Sequence, residues 1–185
     1  MVIGGLLAQT VPIPWGSASP PAIVPATIVD PPVKISAGNC GKTPQEAKAL
    51  GCEFDIMMTA WTHPRCIDRE LSNRYVREGG VDSLGWKFYA DQAGTREMPL
   101  DEVLKGEYVE IFSTWGFHMA HCGYLWNNVQ REQLTNPLGQ RVLASDAWSA
   151  EHISHCIRYS SFPNVTHIQD TDAKLSNHVV DCLVA

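Results

Sequence analysis

The pattern His-x-x-His-Cys occurs twice in this chain, in "FHMAHCGYLW" (117–126) and in "EHISHCIRYS" (151–160). Residues three apart on an α-helix lie on the same face, about one turn from each other. The doubled pattern therefore predicts two helices, each carrying two imidazoles on one face. Such helices constrain the fold strongly, because faces that are otherwise apolar must find partners for their histidines.

If the two faces oppose each other, four side chains converge: His118, His121, His152 and His155. Ligands projecting from facing helices in a bundle core are a known way to build a metal site. A buried imidazole without a partner would cost about 1–3 kcal/mol, and a metal ion would satisfy all four. The alternative is that each histidine forms its own hydrogen bonds in the core, and the repetition of the pattern favours the metal.

Neutral imidazoles suit Zn, Cu, Fe or Ni, and copper binds such ligands most tightly in the divalent series. We therefore expect one or two copper ions, with zinc less favoured because a structural zinc site more often recruits thiolates as well. Cys122 and Cys156 come one residue after each motif, about 100° around the helix. They are expected to point away from the imidazoles and to pair or pack nearby, with direct ligation as the alternative.

Three aromatic residues near the motifs are candidate pocket walls or groups that orient the ligands: Tyr124, Trp148 and Tyr159. The remaining histidines have no ligand spacing. His178, in particular, is expected at the surface or at the edge of the core.

The local patterns predict a mainly α, single-domain fold with minor β structure. Residues 108–133 lack proline and have apolar residues around most of the axis, which predicts a buried central helix. A second buried helix is predicted over 145–161, with Ser145 or Asp146 as its cap. Shorter helices are predicted after Thr43 and after Pro64, and a turn at Gly94.

The first 38 residues form a Pro-rich arm that is expected to be extended, because prolines prevent a helix, and the remaining residues, 39–185, form the domain. The apolar opening is too short for a membrane span or a good signal peptide. We expect the sequence to have been trimmed behind a longer targeting or membrane segment.

Six cysteines allow up to three disulfides in an oxidising compartment, or buried thiols and ligands in the cytosol: Cys40, Cys52, Cys66, Cys122, Cys156 and Cys182. Cys40 and Cys52 flank the first predicted helix. A sequon at Asn164 makes a glycoprotein of the secretory pathway the expectation. The net charge of −6 and the absence of a basic run argue against nucleic-acid binding.

The doubled motif resembles that of the fungal UstYa-type oxidases, and the similarity extends to "CGKTPQEAKALGCEFD", "WTHPRCIDREL" and "GEYVEIFSTWGFHMAHC", over about residues 39–182. Members of that family are usually membrane-anchored, with copper as the metal, and act in oxidative cyclisation, hydroxylation and halogenation in natural-product pathways. The resemblance implicates both complete motifs, His118, His121, Cys122, His152, His155 and Cys156. Here they continue as "CGYLWNN" and "CIRYSS" instead of a Cys-Leu-x-x-Leu-Arg segment, so this chain represents a divergent branch.

The resemblance implies a copper-dependent oxidoreductase of fungal secondary metabolism, including mycotoxin biosynthesis, acting on a peptide or small metabolite by cyclisation, hydroxylation or desaturation. It also implies a lumenal, membrane-anchored location, and an oligomer is allowed. Two alternatives stay open: a metal-independent cyclase on the same scaffold, with the histidines as acid, base or orienting groups, and a non-catalytic zinc-binding helper.

Overall fold

The computed structural model describes residues 35–80, 85–136, 139–161, 170–171 and 173–184. Of these residues, 44% are helical and 22% lie in strands, in three sheets. The fold is therefore mixed α and β, and the prediction of a mainly α protein is corrected. The predicted sequon at Asn164 and all but the last four residues of the predicted arm lie outside the described residues.

The helices, in chain order, are α1 Pro44–Ala49, α2 Arg69–Glu78, α3 Leu100–Val103, α4 Trp115–Thr135, α5 Ser145–Trp148 and α6 Ala150–Ser161, with a 3-10 turn at Pro64–Cys66. The strands are β1 Ile35–Gly38, β2 Glu53–Asp55, β3 Ala60–Thr62, β4 Phe88–Tyr89, β5 Glu97–Met98, β6 Glu110–Ser113, β7 Val142–Ala144, β8 Ala173–Ser176, β9 His178–Val179 and β10 Cys182–Val184.

The strands form three small sheets, with the orders β1-β10-β7, β2-β3-β9 and β5-β4-β6-β8. Most pairs are antiparallel, and β3 with β9 is parallel. Each sheet combines early strands with strands from the end of the chain. The C-terminal residues therefore bind the rest of the described domain together.

Several local predictions are confirmed. The Thr43 hydroxyl accepts a hydrogen bond from the Glu46 N–H at the start of α1, and the disulfide between Cys40 and Cys52 braces this helix. Gly94 turns the chain between β4 and β5 with φ +66°, a conformation that glycine adopts without steric cost.

The predicted helix over 108–133 is wrong at its start. Residues 110–113 form β6, which lies between β4 and β8, and α4 begins at Trp115 behind the cap Thr114. The short run "EIFS" has only two apolar residues, and they are adjacent, so the pattern fits a strand as well as a helix. Pairing with two neighbouring strands decides between the two structures.

The second predicted helix is divided into α5 and α6. Ser149 separates them, with an extended backbone (ψ 114°), and its hydroxyl accepts a hydrogen bond from the His152 N–H at 3.2 Å. The cap of the motif-bearing helix α6 is therefore Ser149, rather than Ser145 or Asp146. This break sets the direction of α6 independently of α5.

A second disulfide joins Cys66 to Cys182, across 116 residues. Cys122 and Cys156 are buried free thiols, so the third disulfide that six cysteines would allow does not form between these two. The core lies between α4 and the surrounding sheets, and Phe117, Tyr124 and Phe88 are among its largest fully buried side chains.

Candidate metal centre

The structure brings the two motifs together, because α4 packs against α6. The imidazole centres of His118 and His155 are 5.3 Å apart, and those of His121 and His152 are 5.4 Å apart. Along each helix, the two motif histidines have ring centres 6.1 Å apart. The four rings thus form a quadrilateral whose shorter sides cross between the helices.

The Nε2 atoms meet in two pairs across the helix interface. Those of His118 and His155 are 3.2 Å apart, and those of His121 and His152 are 3.4 Å apart. In a tetrahedral site with metal–nitrogen distances of about 2.0–2.1 Å, two nitrogen ligands lie about 3.3–3.4 Å apart. Each pair therefore has the spacing of two ligands of one ion.

A sulfur atom joins one of these pairs. Among the described residues, the ligand atoms of His121, His152 and Cys156 all lie within 4.8 Å of one another; we call this set the inner trio. The set does not extend to His118 and His155, which we call the outer pair. The role of these histidines as metal ligands remains a prediction, but the donor atoms are arranged as two adjoining groups.

The prediction that both cysteines turn away from the imidazoles is wrong for Cys156. The apolar face that a helix buries is typically more than 100° wide. A residue about 100° from His155 can therefore still lie inside the buried face. Cys156 is 1% exposed, and its thiol reaches the nitrogen atoms of the inner trio from the edge of the interface.

The backbone orients His121. Its Nδ1 lies 2.6 Å from the carbonyl oxygen of Met57, which can only accept a hydrogen bond, so Nδ1 carries the proton. The lone pair is then on Nε2, facing His152 and available to a metal. The Met57 carbonyl belongs to the turn between β2 and β3 and is a functional group that no sequence pattern indicates.

A buried carboxylate holds that turn. Asp55 accepts hydrogen bonds from the Met57 N–H at 2.9 Å, the Ser72 hydroxyl at 2.7 Å and the Tyr124 hydroxyl at 2.6 Å. Burial raises the pKa of Asp55, and these hydrogen bonds oppose the shift. Tyr124, which was predicted as a pocket wall, thus supports the turn that positions His121.

A second carboxylate lies beside His152. The Asp146 Oδ2 atom is 3.7 Å from His152 Nδ1 and accepts a hydrogen bond from His178 Nε2 at 2.8 Å. His178 Nδ1 lies 3.1 Å from the Ser176 carbonyl, so both ring nitrogens face acceptors, an arrangement that favours the imidazolium. The hydrogen bond to Asp146 raises the pKa of His178.

Burial raises the pKa of Asp146, but the hydrogen bond from His178 and the charge of nearby histidines outweigh it, so the net shift is downward. A carboxylate therefore persists next to His152. Sequence analysis considered Asp146 only as a possible helix cap and placed His178 at the surface or at the edge of the core. The two residues are far apart in sequence, and no spacing rule links them to the motif.

The two free thiols act on each other. Cys122 donates a hydrogen bond to Cys156, which lowers the pKa of Cys156 despite its burial, and His152 lowers it further. The same hydrogen bond, together with burial, raises the pKa of Cys122. Cys156 is therefore favoured as the thiolate, the form that binds metals.

Aromatic rings cover the outer pair. The ring centre of Tyr159 lies 4.6 Å from that of His155, and Trp115 stacks on Tyr159 at 5.3 Å. Trp115 is also 5.1 Å from His118. Sequence analysis did not select Trp115, although its position three residues before His118 on the same helical face was a sufficient signal. Trp148, a predicted pocket wall, lies on α5 and packs against the main core.

The histidines of α4 are neutral at neutral pH. Burial, together with the neighbouring imidazoles, lowers the pKa of His118 to about 4, and burial lowers that of His121 to about 4. Neutral imidazole is the form that ligates metals. A cleft of about 390 Å³ opens to solvent beside His152 and His155, so the imidazoles can be reached from outside.

Comparisons with known proteins identify two relatives, phomopsin biosynthesis cluster proteins B and B' of Diaporthe leptostromiformis. Each is 28% identical over 94 residues, which is 49% of this chain and 28% of the relative's length. No family model and no solved structure matches. Within the described residues, no helix has the length and apolarity needed to cross a membrane. The chain is thus similar to proteins of a fungal biosynthesis cluster.

Proposed function

We propose that this protein is a copper-dependent oxidoreductase of fungal natural-product biosynthesis that acts on a peptide or small metabolite. The observation that carries the proposal is the pairing of Nε2 atoms at 3.2 and 3.4 Å across two helices, with a thiol beside one pair. The similarity to two phomopsin biosynthesis cluster proteins supports the biosynthetic role.

The donor atoms fit copper. Two imidazoles and one cysteine sulfur are the donors of protein sites that hold copper for electron transfer, and soft thiolates also favour Cu(I). The two imidazoles of the outer pair suit a second copper ion, because imidazole is a common copper ligand. When bound, copper supplies one-electron redox chemistry and reactivity toward O2. One or two ions per chain follow from the two groups of donors.

The residues of the chain would prepare the site before any metal binds. The Met57 carbonyl holds the His121 lone pair toward the trio, and Asp146 lies beside His152. Such partners of metal ligands fix ring orientation and raise ligand basicity. Tyr159 and Trp115 shield the outer pair from water on one side, while the cleft beside His155 leaves a path for a substrate.

We also propose that the protein works in the lumen of the secretory pathway. Two disulfides, one of them across 116 residues, are compatible with an oxidising compartment. A membrane anchor is implied only by the family resemblance, and an oligomer is allowed without being implied. They are extensions of the proposal that the described residues neither require nor oppose.

The zinc alternative has one observation in its favour, since zinc also accepts mixed imidazole and thiolate ligands in tetrahedral geometry. A non-catalytic zinc-binding helper would therefore use the same donors. It differs from the copper oxidoreductase in a measurable way, because zinc has no redox chemistry.

The test is anaerobic reconstitution of the purified full chain with Cu(I), followed by removal of free metal and measurement of bound copper. We expect about one to two copper ions per chain, loss of one on His121→Ala, and O2 consumption when a reductant is supplied. A chain that retains only zinc and consumes no O2 would support the helper. Conversion of a pathway substrate that persists after chelation would support the metal-independent cyclase.

A further inference from the structure

An apolar cavity of about 400 Å³ lies between α4, α5 and α6. Its size falls in the range of about 300–1,000 Å³ that is typical of small-ligand pockets. Its apolar walls and its sulfur-containing floor come from Leu125, Trp126, Val129, Ala147, Ile153 and Cys156. It is distinct from the open cleft beside His155, which Ser149, Glu151 and the two α6 histidines line.

Cys156 belongs both to this cavity and to the inner trio. Its sulfur lies within 4.8 Å of the ligand nitrogens of His121 and His152, and the same residue lines the cavity. A group bound in the cavity would therefore contact Cys156 and lie one side chain away from the imidazoles. The cavity and the candidate metal centre are two sides of one helix interface.

The lining also indicates what kind of group fits. The carboxylate in the wall, Asp146, already accepts a hydrogen bond from His178. Gln130 and Gln133 also line the cavity, but both residues are exposed and neither carries a charge. An occupant would therefore gain from burying apolar surface, at about 25 cal/mol per Å², and a charged occupant would lose its hydration without an ionic partner.

We propose that this cavity binds an uncharged apolar group of the substrate, an aliphatic or aromatic side chain or ring, against Cys156 and next to the inner trio. That the occupant is a substrate rests on the proposed function. The binding itself does not, since the cavity is formed by the protein alone. In this proposal, the apolar group of the substrate binds on the side of α6 that carries the Cys156 thiol. The rest of the substrate then occupies the cleft beside His155.

The first test uses the full chain and two fluorescent probes that differ by one charge. N-phenyl-1-naphthylamine is neutral, and 8-anilino-1-naphthalenesulfonate has the same ring system with an added sulfonate. We expect saturable binding of the neutral probe, and binding of the sulfonate that is weaker by about tenfold. No binding of the neutral probe, or tighter binding of the sulfonate, would overturn the proposal.

Two variants test whether the probe binds in this cavity. Ile153→Trp and Val129→Trp each fill it from a half-buried position, on different helices, and each should weaken neutral-probe binding by about tenfold or more. The matched control is Ile157→Trp, on the same helix but 49% exposed and outside the lining. Unchanged binding in both filled variants, at a native circular dichroism spectrum, would overturn the assignment, as would equal loss in the control.

The link to Cys156 is tested by alkylation with iodoacetamide, with the labelled peptide measured by mass spectrometry. The bound neutral probe and the Ile153→Trp variant should each slow labelling of Cys156. Unchanged labelling under both conditions would contradict the contact with the sulfur. Bound copper is measured in the same samples to separate the two proposals. Absence of probe binding in a chain that binds copper would contradict this inference alone. Loss of copper with probe binding retained breaks the proposed function alone.

Discussion

The inner trio and the outer pair come from the same repeated motif but lie in different surroundings. His121 is 7% exposed and Cys156 is 1% exposed. The His121 ring donates a hydrogen bond to the Met57 carbonyl, and the Asp146 carboxylate lies 3.7 Å from His152. His155 is exposed, and aromatic rings are its main neighbours. One half of the centre is therefore held by polar partners and the other by stacking.

The two halves of a repeated motif can therefore differ in how they bind a metal. A buried ligand with a fixed proton position loses little freedom when it binds a metal, whereas an exposed imidazole must be ordered first. We expect the inner trio to bind its ion tightly and the outer pair to bind more weakly and exchange faster. Four sets of substitutions test this comparison.

The largest effect is expected for His121→Ala compared with His118→Ala. Removing His121 deletes a ligand of the trio and leaves the buried Met57 carbonyl unpaired, which costs about 1–3 kcal/mol of stability. Copper affinity at the tight site should fall by more than about 100-fold. Loss of a group that only hydrogen-bonds to a ligand typically costs about 10–100-fold. Competition with a copper chelator measures affinity, and urea unfolding measures stability.

In His118→Ala, only the weaker copper-binding event should disappear. The free energy of unfolding should change less than in His121→Ala. If both alanine variants lost the same ion with the same change in affinity, the division into an inner trio and an outer pair would be wrong. A single site of four imidazoles would then replace it.

The next effect concerns the sulfur. If Cys156 ligates Cu(II), the protein should show a visible sulfur-to-copper charge-transfer band that disappears in Cys156→Ser. Cys122→Ser should keep the band, because Cys156 is still present. The band should shift, because a hydroxyl replaces the thiol that donates a hydrogen bond to the Cys156 sulfur. A spectrum without this band in the unsubstituted protein would restrict the ligands to the imidazoles.

A smaller effect is expected for Asp146→Asn, which removes the negative charge beside His152 while preserving size. Substitutions of such partners lower metal affinity by about 10–100-fold, and the 3.7 Å separation places this variant at about tenfold. The control, Asp101→Asn, changes an exposed carboxylate on α3 and should leave copper affinity unchanged. Equal affinities of the two variants would remove Asp146 from the centre.

The smallest effect is expected for Tyr159→Leu, which removes the ring packed on His155 but retains an apolar side chain. Aromatic pairs contribute about 0.5–1.5 kcal/mol beyond their buried area, which corresponds to a few-fold change at the outer pair. Tight copper binding by the inner trio should be unaffected. Isothermal titration with two resolved events measures both, and a change confined to the tight event would contradict the assignment.

The sequence was sufficient to predict that the two histidines of each motif share one helical face, and the structure shows that the two faces meet. Local signals also predicted the start of α1 and the turn at Gly94. These features depend on residues close together in the chain, where spacing and capping rules apply.

The parts that could not be predicted depend on contacts between distant segments. Nothing in "EIFS" shows that two strands will pair with it. The direction of Cys156 depends on how deeply α6 packs against α4. The Met57 carbonyl is a backbone group, and the partnership of Asp146 with His178 exists only after β9 has joined its sheet. Spacing rules contain no information about any of these.

The placement of β10 has a consequence for the order of events during biosynthesis. β10 lies between β1 and β7, and Ala144 at the end of β7 leads directly into α5. Cys182 is paired with Ala144 in the sheet and is also bonded to Cys66. While the ribosome is still adding residues 178–184, the segment that carries His152 and Cys156 lacks this support. Metal uptake is therefore expected to follow the synthesis of β10 and the formation of the disulfide between Cys66 and Cys182.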